Sequence, residues 1–341
     1  MDAYIGLDAH SKTCTFVCQD SEGSIIREGT FVTNETNLRG FLRSIPGKKA
    51  LTFEESNIAQ WLYVLLYREV EQLVVCHPAH LPKKSGPKSD YRDALHLANQ
   101  LRSKNLTAVY HDDSFMMKLR TLVSSYEDLC REGIGLQSKY KAILRAEGIA
   151  TESAHFTKHN RMKANEVKHP TTRLVAESLY HRIVTNEELK RLYKEQFKEN
   201  IKSEAMLRNI SSIPGVGPVY AHVITAYICS GHRFENKHKL WAYSKLVRQH
   251  DISDGQIMRV RHPHGRSELK SAFMGIAHGI AMRSEISKSA LHEFYRHQIS
   301  KGLDSRRARK ATARKVASIC LAIMKGNCRY KDDEIKRSLL S

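Results

Sequence analysis

Ala3-Tyr4-Ile5-Gly6-Leu7-Asp8-Ala9-His10-Ser11-Lys12 opens the chain on a β-prone apolar run that ends at an acid. Two more such runs follow, Cys14 to Cys18 and Ser24 to Phe31, with Asp8 to Ser11 and the turn-forming Asp20-Ser21-Glu22-Gly23 between them. Spacing this short predicts three hairpin-linked strands. Further along, the pattern predicts a helix over about Thr36 to Ser44 and a break at Pro46-Gly47. A strand at Ala50 to Phe53, a helix over about Asn57 to Tyr67 and a strand at Leu73 to Val75 come next.

With a helix after the last strand, the order is β-β-β-α-β-α-β-α. It matches the RNase H-like fold, a mixed sheet flanked by helices, and predicts an α/β domain over residues 1–110. The pattern then changes. Leu122, Tyr126, Leu129, Gly133, Leu136, Tyr140 and Ile143 recur at alternating steps of four and three, a heptad seam. A second long helix is expected from Thr185, where Thr185 and Glu188 form a capping box, through Leu189, Tyr193 and Phe197 towards Leu207. Together they predict a helical coiled-coil arm over 111–205, its seam serving either an intramolecular pair or an oligomer. Beyond Ser211 the chain reads as helical and basic, with a loop-like interruption from Val247 to Ser267, which predicts a mainly α domain over 206–341.

A chain of 341 residues, 41% of them hydrophobic, buries a sizeable core without staples. Its seven cysteines include no CxxC pair, which favours reduced thiols in a reducing compartment. No apolar run approaches the ~18 residues of a membrane span, and the charged N-terminus does not resemble a signal peptide, so a cytoplasmic protein without a membrane partner is expected. A formal charge of +19 and a pI near 9.6 suit a protein that neutralises phosphates better than one handling small neutral substrates. Nucleic acid is the leading partner on charge, with a ribosome-adjacent or merely basic soluble protein as the lesser reading.

Chemistry has to come from sites. Hard divalent cations such as Mg²⁺ want oxygen ligands on rigid elements. Asp8 ends the first strand, Glu54 ends the strand Leu51-Thr52-Phe53, and Asp90 and Asp93 share one face if a helix begins there. Taken singly, each acid also reads as a cap or surface residue, and Asp90 is equally placed to cap the helix. Glu55 competes with Glu54, although strand alternation points the two to opposite faces. Four converging carboxylates repel one another unless a cation sits between them.

In the C-terminal part, Ile213-Pro214-Gly215-Val216-Gly217-Pro218-Val219-Tyr220-Ala221 has the G-x-G-x-x-x-A pattern of a helix-hairpin-helix. Gly215 and Gly217 would permit a tight turn, leaving free N–H groups for a phosphate. An ordinary helix connection is the plainer reading. Arg259, Arg261, His262, His264 and Arg266 lack the spacing of a zinc site and read as phosphate contacts. Arg306-Arg307-Ala308-Arg309-Lys310 reads either as a solvated helix face or as a backbone contact.

Gly6-Leu7-Asp8-Ala9-His10-Ser11-Lys12, Phe53-Glu54-Glu55-Ser56, His77-Pro78 and Lys88-Ser89-Asp90-Tyr91-Arg92-Asp93-Ala94 together resemble the N-terminal, RuvC-like domain of DEDD transposases of the insertion-sequence-110 family. The segment Trp241 to Gly255 resembles the family's C-terminal transposase segment. Two positions depart: Ser89-Asp90 stands where the family more often has Thr-Asp, and Asn57 where a glycine is common. The resemblance implies that Asp8, Glu54, Asp90 and Asp93 bind Mg²⁺, with Mn²⁺ as substitute. It further implies that Ser253 is a nucleophile forming a covalent phosphoserine, with Ser244 and Ser267 as fallbacks, and that Arg248 and its basic neighbours contact nucleic acid. Donor and target DNA, a structured guide RNA, assembly as homodimers or homotetramers and a prokaryotic cytoplasm with nucleoid association are implied likewise. Two rival readings remain at this point, a water-using metal-dependent junction resolvase and a non-catalytic nucleic-acid scaffold.

Overall fold

Alternation along the first strands decides where everything in the N-terminal part packs. β1 (Ala3–Ala9), β2 (Thr13–Gln19) and β3 (Ile25–Val32) form an antiparallel meander. β4 (Lys49–Glu54) and β5 (Gln72–Cys76) add in parallel, giving the order β3-β2-β1-β4-β5. α1 (Glu35–Arg43) and α2 (Ala59–Leu66) lie between strands in the chain, and α3 (Asp90–Arg102) follows β5. The elements fall within a few residues of their expected places. This is a computed structural model describing residues 1–82, 87, 89–151, 163–253, 256–261, 263–283 and 286–333. Contacts divide it into two compact units, Met1–Ser114 and Phe115–Ser341.

In the first unit one face of the sheet, carrying Ile5, Leu7, Phe16, Cys18, Leu51 and Phe53, packs with Leu38, Phe41 and Leu42 of α1 and Leu62 and Leu66 of α2. The opposite face carries Gly6, Val17 and Thr52, and α3 lies on it with Ala94, Leu97, Ala98 and Leu101 buried. The mixed sheet with helices on both faces agrees with an RNase H-like unit. A Cβ on Gly6 would stand 2.1 Å from the carbonyl oxygen of Ala94 and 2.4 Å from the amide nitrogen of Ala98. Only glycine lets the two backbones meet this closely.

α3 begins with Ser89, not Asp90, as its cap: Ser89 is extended and its Oγ accepts from the Arg92 N–H at 3.3 Å. Asp90 therefore occupies the first helical position, and with Asp93 it places two acids where the helix dipole favours them.

The second unit is helical. α4 (Phe115–Ala146) and α5 (Pro170–Ser203) run antiparallel, joined by Asn186 Nδ2 donating to Leu129 O at 3.0 Å and by Ser125 and Tyr193 hydroxyls 2.8 Å apart. The second helix starts 15 residues before the expected capping box, at Pro170 against Thr185, because a first-turn proline with preset φ supplies the start. Thr185 lies inside that helix. Of the expected α4 seam, Tyr126, Gly133, Leu136 and Tyr140 are buried, whereas Leu122, Leu129 and Ile143 are only half-buried and their neighbours Leu119, Val123 and Leu144 are buried. Its first half packs into the C-terminal core through Leu119 and Val123, and only its second half joins Ala176, Leu179 and Ile183 of α5 in a cluster.

α6 (Ala205–Ser211), α7 (Pro218–Ile228) and α8 (Lys237–Tyr243) follow. The stretch expected to be a loop instead holds an antiparallel hairpin, β6 (Gln249–Ser253) with β7 (Gln256–Arg261). Its alternation is hard to read because both faces of β7 are exposed, one with Met258 and Val260, the other with Arg259 and Arg261. α9 (Ser267–Met282), α10 (Ala290–Ser300) and α11 (Ser305–Gly326) complete the unit. Among the described residues no helix is long and apolar enough to cross a membrane.

The Gly6 contact gives a paired stability prediction. Gly6→Ala should cost at least about 2 kcal/mol by forcing α3 off the sheet. Gly40→Ala, in α1 with nothing within 4 Å of the added Cβ, should instead gain about 0.5–1 kcal/mol. Urea denaturation of both variants checks this, and equal effects would contradict the close-contact account.

Candidate metal centre

Parallel register sets the first two acids side by side. β1 pairs with β4 so that Leu7 opposes Phe53, which makes Asp8 and Glu54 the next positions on neighbouring strands, on the face that α3 covers. The α3 backbone resting on Gly6 then brings its first turn, with Asp90 and Asp93, to the end of β1.

Asp8 records the result. Burial pushes its carboxyl above the usual carboxylate range, the charges of Asp90, Asp93 and Glu54 push it the same way, and His10 opposes them. His10 Nε2 lies 3.3 Å from Asp8 Oδ2, outside hydrogen-bond geometry, and among the described residues that buried oxygen has no hydrogen-bond partner. Asp8, His10 and Asp90 each offer a ligand atom, all within 4.8 Å of one another. Of the four expected acids this group holds Asp8 and Asp90, with His10 added, while Glu54 and Asp93 act on Asp8 by charge; a buried carboxylate oxygen beside a second carboxylate and an imidazole fits a divalent cation.

Glu55 is otherwise engaged. Its Oε2 lies 2.6 Å from His111 Nε2, away from the cluster that includes Glu54. Sequence reasoning missed both histidines. His10, two residues beyond Asp8, carried a signal in strand alternation, whereas His111 is 56 residues from its partner and carried none.

The second unit presents its expected residues differently. Ser253 is the last residue of β6, and its side chain lies outside the described residues, as do Asp254, Gly255 and His262. Ser244 is fully buried, and among the described residues its Oγ has no hydrogen-bond partner. Ser267 is exposed at the first position of α9, its Oγ 3.3 Å from Glu268 Oε2. In the connection between α6 and α7, Gly215 has φ +85°, a conformation that favours glycine, and packs beside Ile276 and Ile280. Gly217 is the ordinary extended cap of α7, with open space around it.

Arg248, Arg259 and Arg261 are exposed, while the Arg266 guanidinium lies 5.5 Å from the centre of the Tyr227 ring. Burial and the neighbouring charges of Arg314, Arg248, Lys270 and Arg306 lower the affinity of Lys310 for its proton, evidence of a positive field that a phosphate would relieve.

Comparison with known proteins gives two family matches. The model described as "Transposase", of the DEDD IS110 kind, matches residues 5–147, and the one described as "Transposase IS116/IS110/IS902 family" matches residues 207–296. Among individual proteins, y4qE of Sinorhizobium fredii (strain NBRC 101917 / NGR234), whose name carries the word transposase, is 21% identical over 256 residues, 72% of this chain. The chain spans 63% of that relative's length.

A cation that relieves the Asp8 cluster should stabilise the folded chain. With Mn²⁺ at a hundred times its dissociation constant the gain should be about 2.7 kcal/mol, and Asp8→Asn should lose it. The raised Asp8 carboxyl contributes stability below the usual carboxylate range, and that contribution is lost as pH rises towards its folded value. Metal-free Asp8→Asn should therefore be at least as stable as the parent at neutral pH. Thermal melting with and without Mn²⁺ checks both statements, and a gain that survives in Asp8→Asn would place the cation elsewhere.

Proposed function

The chain belongs to the IS110 family of transposases, and from that premise we propose that it cuts and rejoins DNA strands as the recombinase of an insertion sequence. The observation that carries this reading is the grouping of Asp8, His10 and Asp90, whose ligand atoms lie within 4.8 Å of one another, with the charges of Glu54 and Asp93 near enough to raise the Asp8 carboxyl. These four residues, with His10 beside them, would hold Mg²⁺ or Mn²⁺. When bound, the cation supplies positive charge for the phosphate undergoing substitution and lowers the pKa of a coordinated hydroxyl.

The protein's own groups do the rest. Asp8 is held by β1 and Glu54 by β4, so neither ligand has to be gathered at the moment of reaction. Ser253 is the proposed nucleophile: its Oγ forms the bond to phosphorus as a DNA oxygen leaves, and attack by a hydroxyl of another strand on the resulting phosphoserine rejoins the DNA and frees the serine. A serine hydroxyl needs activation at neutral pH by a base or a metal. Exposed Arg248, Arg259 and Arg261, together with Arg266 and the glycine turn at Gly215 and Gly217, serve backbone contact, the turn as a helix-hairpin-helix.

The family resemblance extends the proposal to a structured guide RNA, to donor and target DNA, to a dimer or tetramer and to a prokaryotic cytoplasm. It also treats residues 111–205 as a coiled-coil arm and 206–341 as the transposase domain. A water-using nuclease is the second reading, favoured by one observation: all four acids lie in the first unit, so a serine is not needed to complete their cluster.

Asp8→Ala and Asp93→Ala should each abolish cation-dependent cleavage while the protein still folds and binds DNA. Ser253→Ala should abolish both cleavage and the covalent adduct. Peptide mapping of protein trapped on nicked DNA decides between the readings: an adduct at Ser267 moves the nucleophile, and cleavage without any adduct favours the nuclease. Affinity should also fall steeply with salt, losing about 10³-fold or more between 50 and 200 mM if about six phosphates are contacted. A flat salt response would contradict backbone-dominated binding.

A further inference from the structure

Glu54 and Glu55 stand side by side at the end of β4, yet only Glu54 acts on Asp8. A buried hydrogen-bond chain accounts for the separation. His111 Nε2 lies 2.6 Å from Glu55 Oε2, and its Nδ1 lies 2.7 Å from Gln60 Oε1. Gln60 Nε2 donates to the carbonyl oxygen of Asp112 at 2.8 Å, which fixes the amide with its oxygen towards the ring. The ring is thus held at both nitrogens, by the Gln60 amide oxygen at Nδ1 and by the Glu55 carboxylate at Nε2. The imidazole is 2% exposed and lies against Tyr63, with ring centres 5.5 Å apart.

The main chain secures the same corner. The Glu55 N–H donates to Cys76 O at 2.8 Å, and the Val109 N–H donates to Val75 O at 2.7 Å, so the segment that delivers His111 is itself joined to β5. Glu55 is thus held by both its backbone and its carboxylate. Successive strand side chains leave on opposite faces, so fixing Glu55 on the α2 side leaves Glu54 on the side of Asp8 and α3.

We propose that His111, oriented by Gln60, is a positioning residue for the acid cluster: by clamping Glu55 it fixes the end of β4 so that Glu54 is presented to Asp8. This rests on reading Asp8, Glu54, Asp90 and Asp93 as a metal centre. Residues one step removed from a metal commonly set its affinity by orienting the ligands. His111 does so through its grip on the residue next to a ligand.

The test is Mn²⁺ affinity of the full chain, read by electron paramagnetic resonance of free Mn²⁺, alongside metal-free thermal melting. Glu54→Gln should abolish measurable binding, whereas Glu55→Gln, which keeps an acceptor for His111, should stay within a few-fold of the parent. His111→Ala should weaken binding about 10–100-fold. His111→Gln should recover most of that loss, because its amide nitrogen takes the place of Nε2 and still donates to Glu55. If His111→Ala does not fold, Gln60→Ala, which leaves the His111–Glu55 pair but frees the ring, should show a smaller loss of affinity in the same direction. A His111→Ala protein that melts earlier yet binds Mn²⁺ like the parent would reduce the clasp to a structural one and overturn the inference alone. A parent that binds no Mn²⁺, or a Glu54→Gln protein that binds it undiminished, would overturn the metal reading and the inference with it.

Discussion

The first unit depends on the direct approach of two backbones, α3 against β1 at Gly6. With an added Cβ only 2.1 Å from Ala94 O, no other residue type leaves the helix where it is. Asp8 lies two residues further along the same strand face, and Asp90 lies one helical turn before Ala94. The contact therefore sets the distance between acids carried by separate elements, and the parallel pairing of β1 with β4 adds Glu54 at the same level. A fold held at this point places carboxylates together that would otherwise avoid one another.

That proximity sets the electrostatic character of the molecule. A chain of net charge +19 brings the charges of Asp90, Asp93 and Glu54 to bear on the buried carboxyl of Asp8, and burial together with those charges raises it. The second unit does the converse, with exposed Arg248, Arg259 and Arg261 and a crowded positive field around Lys310.

Much of this was legible in the sequence, for identifiable reasons. The strands could be read because apolar runs alternate between turn-forming residues, and the acids because each ends or begins such an element. The Gly6 contact was not, since a lone glycine within a strand does not say what approaches it. Ser89 as the cap in place of Asp90 was a choice between adjacent residues of equal capping strength. The start of α5 at Pro170 was obscured by a convincing but internal Thr185–Glu188 pair, and the β6–β7 hairpin because Met258 and Val260 on one face of β7 are exposed like Arg259 and Arg261 on the other. His111 depends on a tertiary contact that no local pattern encodes. For Ser253 the sequence supplied a resemblance, and the fold adds its place at the end of β6.

The central claim is that Asp8, Glu54 and the first turn of α3 enclose a divalent cation. Crystals of the full chain grown with Mn²⁺ and measured for anomalous scattering test it most directly. The account predicts a strong anomalous peak bounded by Asp8, Glu54 and Asp90, close to Asp8 Oδ2. An empty acid cluster beside Mn²⁺ bound elsewhere, or no bound Mn²⁺ at saturating concentration, would contradict it.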